Sequence, residues 1–234
     1  MKKKIIALVA ARKGSKGVKN KNLLKFKNKN IVNLAVSLGL KIKLIDKVIL
    51  SSDSNRILDS VKMNTKLIKI KRPLSLARDN SPMLPVIRHA ISVFEKRYNE
   101  KISSIVILDP TSILRLKNDV TEAIKIFKKK RLDLLVSTHE AEHNPYFSIL
   151  EKQGRHFSLS KGINLNIGSR QGAKKVYNIN TVVWIYSRNA IMLEKRRIPK
   201  KTGIINVPLD RTLEINTKKD LIEIKKILKN EQKI

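Results

Sequence analysis

A chain of 234 residues, 41% of them hydrophobic, can bury a substantial core as a single domain. It contains no cysteine, which excludes disulfides and thiol chemistry and fits a reducing compartment, and its apolar runs are too short to span a membrane. The net charge of +32 raises nucleic acid as a partner, but the lysines are spread along nearly every segment and aromatics make up 4%, so stacking platforms are scarce and the expected partner is not nucleic acid.

In chain order, Lys2–Lys4 followed by an apolar run has the outline of a signal peptide, but the run is too short and a basic loop stands where a cleavage region belongs; a cytoplasmic protein with no membrane attachment is expected. Ile5–Ala10 reads as a buried strand. It runs into ARKGSKGVKNKN, Ala11–Asn22, with Gly14, Gly17 and five basic residues, Arg12, Lys13, Lys16, Lys19 and Lys21. Glycine permits tight turns with inward-pointing amides, and the basic side chains add mobile positive charge, a combination suited to a polyphosphate. The spacing is neither that of a Walker loop nor G-x-G-x-x-G. Met1–Ile45 carries no Asp or Glu, so this loop sits in an undiluted positive field.

Ile31–Leu40 reads as a helix, Lys47–Ser51 as a strand, Asn55–Lys62 as a short helix and Leu67–Ile70 as a strand. Arg72–Pro82 is a loop. Pro85–Arg97 is helical with proline in its first turn, Ser104–Leu108 is a strand ended by Asp109-Pro110, and Asp119–Lys128 is a helix with Asn118 as its expected cap. Leu134–Thr138 is a further strand. This alternation predicts an α/β fold with a doubly wound, mostly parallel sheet, Rossmann-like in the manner of nucleotidyltransferases, forming one domain over 1–234. Between His139 and Asn180 the chain turns polar and glycine-containing, which predicts a small inserted lobe at about 139–180 with little core of its own, packing against a second subunit. Val182–Ser187 returns to the sheet, and Lys218–Lys229 is a final amphipathic helix.

In open α/β sheets ligands lie beyond the carboxyl ends of the strands. Four such ends carry polar residues: Arg12–Asn22, Ser51-Ser52-Asp53, Arg72, and Asp109 through Arg115. His139-Glu-Ala-Glu-His143 matches H-E-x-x-H, whose zinc chemistry needs a helix; a strand precedes it and Asn144-Pro145 follows, so no zinc site is expected. Leu213–Thr217 reads LEINT, and alternation puts Glu214 and Asn216 on one side of an extended segment, where two oxygen-bearing side chains can bracket a hard cation or simply form a polar strand face.

The chain resembles the CMP-acylneuraminate cytidylyltransferases, which activate sialic and related nonulosonic acids. The loop ARKGSKGVKNKN resembles the family's A-R-x-x-S-K-G-x-x-x-K-N motif. Further matches follow in order: SSDS at Ser51, RP…LA.D.S from Arg72 to Ser81, LDPTSILR against LQPTSPLR, EHNP from Glu142, RQ at Arg170 followed by Tyr177, and PLD…LEINT…DL from Pro208. The resemblance implies transfer of CMP from CTP to an acidic nonulosonic sugar, with release of pyrophosphate, by a homodimer using Mg²⁺. It implies catalytic roles for Arg12, Lys16 and Lys21 on the triphosphate, and nucleotide contacts from Asn22, Arg72 and Ser81. Asp109, Arg170, Gln171 and Tyr177 would serve the sugar, and Glu214 and Asn216 the metal. Two residues depart from the family pattern. Asp109 stands for its glutamine, and Glu214-x-Asn216 stands for its D-x-D. Asp109 either makes up for the missing carboxylate as a metal ligand or hydrogen-bonds its own Pro-Thr-Ser turn. The alternatives are a cytidylyltransferase for another 3-deoxy-ulosonic acid, and a non-catalytic basic protein that binds nucleotide or nucleic acid.

Overall fold

Along the first strand Ile5, Ala7 and Val9 face one way and Ile6 and Leu8 the other, and all five are buried. A strand buried on both faces belongs in the middle of a sheet covered by helices on each side. The computed structural model, which describes residues 3–14, 17–26, 28–161, 174–193 and 196–230, has this arrangement. Its strands are β1 (Lys4–Ala10), β2 (Lys25–Phe26), β3 (Lys29–Asn30), β4 (Lys47–Ser52), β5 (Leu67–Lys71), β6 (Ile102–Ile107), β7 (Leu134–Glu140), β8 (Leu150–Gln153), β9 (His156–Leu159), β10 (Tyr177–Ser187) and β11 (Thr202–Asn206). Its helices are α1 (Ile31–Lys41), α2 (Asn55–Asp59), α3 (Met83–Tyr98), α4 (Lys117–Lys129), α5 (Arg188–Leu193) and α6 (Lys218–Asn230).

Among the described residues the main sheet has seven strands in the order β11-β7-β10-β6-β1-β4-β5. All neighbours are parallel except β10, which runs antiparallel to both β6 and β7. The expected mostly parallel, doubly wound sheet is therefore present, with β10 as its reversed member. On one face Ile5, Ala7 and Val9 pack with α1, α2 and α4 through residues such as Val36, Ile57 and Phe127. On the other, Ile6 and Leu8 pack with α3 and α5 through Ile91, Phe94 and Ile191.

A third apolar cluster lies apart from the sheet. Val18, Phe26, Ile31, Leu114, Ile215 and Ile224 join the basic loop, β2, the start of α1, the loop after β6, the 213–217 segment and α6. Thr217 and Asp220 start α6 with a reciprocal cap: the Asp220 N–H donates to the Thr217 hydroxyl at 3.3 Å and the Thr217 N–H to the Asp220 carboxylate at 2.7 Å.

Three boundaries differ from the sequence reading. Helix α4 starts at Lys117, so Asn118 lies inside the helix and is not its cap. The end is held by Asp119, whose carboxylate accepts from the Leu116 N–H at 2.9 Å and from Arg211 at 2.8 Å. Helix α2 stops at Asp59, short of Lys62. The segment expected as an inserted lobe up to Asn180 overlaps the sheet, because β7 and β10 remain paired beyond its edge, Tyr177 with Glu140 and Asn178 with His139. Within it β8 and β9 form a separate hairpin. The H-E-x-x-H stretch begins on β7, not on a helix.

Glu95 on α3 ties the first residues of β6 and α5 together. Its carboxylate accepts from Arg188 Nε and Nη2 at 2.7 and 2.9 Å and from the Ile102 N–H at 3.1 Å. The hydrogen bonds from Arg188 lower its pKa from the ordinary value of 4.5. A depressed carboxylate contributes stability above its unfolded pKa and loses it as pH falls through the folded value. Glu95→Gln is therefore expected to lose about 1–3 kcal/mol at neutral pH. In urea unfolding the gap from the wild type should close below about pH 4; a gap that does not change with pH contradicts the assignment.

Candidate functional site

The carboxyl ends of β1, β5 and β6 meet the 213–217 segment around a cavity of about 390 Å³, while Ser51, Ser52 and Asp53 after β4 are not among its lining residues. Arg12, Lys21, Asn22, Arg72, Ser81, Asp109, Glu214 and Asn216 all line it, so eight of the residues singled out from sequence converge there. Arg78, Asp79 and Thr111 line it as well. Lys16, Arg170 and Gln171 lie outside the described residues. Tyr177 does not reach the cavity; it is the first residue of β10, where it pairs with Glu140.

The basic loop is held from several sides. The Ala11 N–H donates to the Ser51 carbonyl at 3.0 Å, extending the β1–β4 pairing by one residue. The Lys13 N–H donates to Asp53 at 2.9 Å, and the buried Asn22 amide donates to the Arg12 carbonyl at 2.9 Å, closing the loop on itself. The Arg12 side chain pairs with Asp79. The two glycines are not equivalent. A Cβ on Gly14 would meet only the Arg12 side chain at 3.6 Å, whereas a Cβ on Gly17 would lie 2.0 Å from the Asn216 carbonyl oxygen. Gly17 is required for close approach to the segment bearing Glu214 and Asn216.

Arg72 follows β5, its N–H donating to the Ser52 carbonyl at 2.8 Å. The residue is 5% exposed, yet Nε and Nη2 are buried with no hydrogen-bond partner. Burial lowers its pKa, nearby Asp53 opposes that shift and Arg12 adds to it. With Arg12 beside it, Arg72 puts positive charge on the wall of the cavity, which suits an anionic ligand. The Ser81 hydroxyl is engaged within its own loop, accepting from the Arg78 N–H at 3.1 Å and donating to the Ser75 carbonyl at 3.2 Å.

Asp109 Oδ1 accepts from the N–H and the hydroxyl of Thr111 at 2.9 and 2.8 Å, so the Pro-Thr-Ser turn is hydrogen-bonded to its own aspartate. Arg115, for which the sequence suggested no role of its own, proves to be the organiser of this corner. Its Nη2 donates to the carbonyls of Asp109 at 2.7 Å and Thr181 at 3.3 Å, and Nε donates to the Val182 carbonyl. Complete burial pushes its pKa down to about 10, against the opposing charges of Asp109, Asp119 and Glu214. The Thr181 N–H in turn donates to Glu214 at 3.2 Å. One buried guanidinium thus links the loop after β6 to the strand that positions Glu214. Its signal in the sequence was LDPTSILR, where arginine closes a short strand-end loop.

Asp109, Glu214 and Asn216 present hard oxygen donors to the same cavity as the cations. Two carboxylates and an amide suit Mg²⁺, which keeps waters and phosphate oxygens in the rest of its shell. Among the described residues no group of three or more His, Cys, Asp or Glu is gathered to hold a metal, and the H-E-x-x-H residues form no such site.

An α/β sheet with cations and oxygen donors at its carboxyl edge defines a nucleotide-handling enzyme. The chain belongs to the cytidylyltransferase family, whose profile matches residues 6–231. It is 27% identical over 225 residues to the post-translational flagellin modification protein B of Campylobacter coli, covering 96% of this chain and 95% of that one. It is 28% identical over 228 residues to the CMP-N,N'-diacetyllegionaminic acid synthase of Campylobacter jejuni, covering 97% and 96%. In fold it is similar to a CMP:2-keto-3-deoxy-manno-octonic acid synthetase solved with CTP, with a TM-score of 0.67 at 14% identity over 97% of this chain and 99% of the other.

Proposed function

We propose that the protein transfers CMP from CTP to an acidic nonulosonic sugar and releases pyrophosphate. The observation that carries this is the buried Arg72 guanidinium, with two nitrogens unspent, in one cavity with Arg12, Lys21, Asp109 and Glu214. The family match, and the relative named for CMP-N,N'-diacetyllegionaminic acid synthesis, support the nucleotide and the class of sugar.

Phosphoryl transfer of this kind needs positioning and charge stabilisation more than covalent help from the protein. Arg12, Lys21 and Arg72, with Lys16 from the same basic loop, hold the triphosphate and stabilise the charge that builds on the departing pyrophosphate. The anomeric hydroxyl of the sugar attacks the α-phosphorus as the bond to the β-phosphate oxygen breaks. Glu214, Asn216 and Asp109 would hold Mg²⁺, which supplies charge neutralisation on the phosphate oxygens. Arg115 keeps Asp109 and, through Thr181, Glu214 in place. CTP is an intracellular nucleotide, and the reading places the enzyme in the cytoplasm.

A screen of CTP and other nucleotides against nonulosonic and other ulosonic acids, read by pyrophosphate release, tests the proposal. Release with CTP and a nonulosonic acid is expected. Release only with another ulosonic acid, or with none of them, overturns it, and strongly salt-dependent binding to random duplex in place of turnover would favour a nucleic-acid role.

We also propose a homodimer. Phe147, Leu150, Phe157 and Ile179 are exposed apolar residues along the 139–180 segment, which supports burial against a second copy. Light scattering should report twice the chain mass at micromolar concentration; a monomer there counts against the dimer.

A further inference from the structure

The basic loop has no acidic residue of its own, since none occurs between Met1 and Ile45. Two carboxylates from the ends of other strands hold it instead. Asp53, outside the cavity wall, takes the Lys13 N–H. Asp79, on the wall itself, takes the Arg12 guanidinium. Asp79 belongs to the loop after β5, so its contact with Arg12 ties together two separate loops that line the cavity.

A carboxylate on this wall repels a triphosphate, because like charges oppose each other even across several ångströms. The neighbouring cations give it a purpose. Arg12, Lys21, Arg72 and Arg78 share the wall, and Arg12 acts on Arg72 as a like charge. Without a partner the long Arg12 side chain would swing toward water, away from the other cations. It would then have to be ordered again while the reaction proceeds. Asp79 orders it beforehand. The contact runs through Arg12 Nη1, and a guanidinium carries five N–H donors, so the rest of the fork serves phosphate oxygens. Asp79 is itself steadied by a closed turn. The Ser81 N–H donates to the Arg78 carbonyl at 3.1 Å, and the Arg78 N–H donates to the Ser81 hydroxyl at 3.1 Å.

Resting on the proposed function, we infer that Asp79 is a positioning residue for the departure of pyrophosphate. It holds Arg12 at the cavity wall, where the guanidinium meets negative charge as that charge develops, and in doing so it weakens the binding of CTP. Interactions that strengthen only in the transition state raise kcat, whereas a fixed negative charge lowers affinity for a polyanion from the start. Asp79 therefore acts in opposite directions on the two quantities. A carboxylate that merely braced the two loops would not.

A double-mutant cycle on Asp79 and Arg12 tests this. Pyrophosphate release with CTP and a nonulosonic acid gives kcat, and calorimetry with CTP alone gives affinity. Asp79→Asn should lower kcat about tenfold or more, the scale of a slightly misplaced catalytic group, while CTP binds at least as tightly as to the wild type. Arg12→Ala combined with Asp79→Asn should be no slower than Arg12→Ala by itself, since both changes remove one interaction. A normal kcat in Asp79→Asn, a loss of CTP affinity alongside kcat, or losses that multiply in the double variant each overturn the inference and leave the proposed function standing. No release by the wild type with CTP and any nonulosonic acid overturns both.

Discussion

Gly17→Ala is expected to lower CMP transfer by more than a hundredfold while the protein still unfolds in a cooperative transition. The added Cβ would sit 2.0 Å from the Asn216 carbonyl oxygen and 3.3 Å from its carbon, and both are backbone atoms that no rotamer change can move aside. The basic loop and the 213–217 segment must then separate. Arg12, Lys21 and Asn22 lie on one side of that contact and Glu214 and Asn216 on the other. A displacement of about 1 Å at a reacting centre costs on the order of a hundredfold. The main sheet does not pass through the contact, so the loss in melting temperature should be small beside the loss in rate. Pyrophosphate release and thermal melting of the same sample test this, and near-wild-type turnover refutes it. Gly14→Ala is the control, because its Cβ would make only ordinary contact with the Arg12 side chain.

Arg72→Met is expected to move stability and activity in opposite directions. The unspent Nε and Nη2 of Arg72 are a standing cost in the ligand-free protein, since a buried charge without partners is unfavourable. Removing the guanidinium and keeping an apolar stem relieves that cost, so the melting temperature of the free protein should rise or hold; exchanges of buried charge for apolar groups have gained about 1–4 kcal/mol. Turnover should fall about a hundredfold or more, because a charge-assisted contact to the triphosphate is lost. CTP should also protect the variant less against heat than it protects the wild type. A variant that melts lower and turns over normally shows Arg72 to be a structural residue.

Why some of this was legible in the sequence and some was not follows from what each residue has to do. Strands β1, β4, β6 and β7 are apolar on both faces, and an uninterrupted buried run announces itself. Edge strand β11, Thr202–Asn206, is short and half-exposed, carries no such run and went unrecognised, as did α5. Helix α4 looked as if it should start after Asn118, because asparagine is a good cap; the carboxylate of Asp119 holds the end instead, from inside the first turn. The convergence of Arg12, Arg72 and Asp109 was foreseeable because they follow strand ends, whereas Glu214, in the segment before α6, was suggested by the LEINT pattern and the family resemblance. The roles of Gly17 and Arg115 were not, since they depend on contacts with residues 216 and 181–182, far away along the chain. Tyr177 lies away from the cavity wall for a similar reason: it belongs to β10, paired there with Glu140 of β7.

The small cluster of Val18, Phe26, Ile31, Leu114, Ile215 and Ile224 has a consequence for how the site comes into being. It joins a stretch near the beginning of the chain to α6 near its end. As the polypeptide emerges in order, the basic loop can fold onto β1, β4, Ile31 and Leu114 early, but its apolar packing is complete only when residues 213–228 arrive. In the finished protein the same linkage should make the loop and α6 exchange their amide hydrogens together, as one unit of local opening less stable than the sheet.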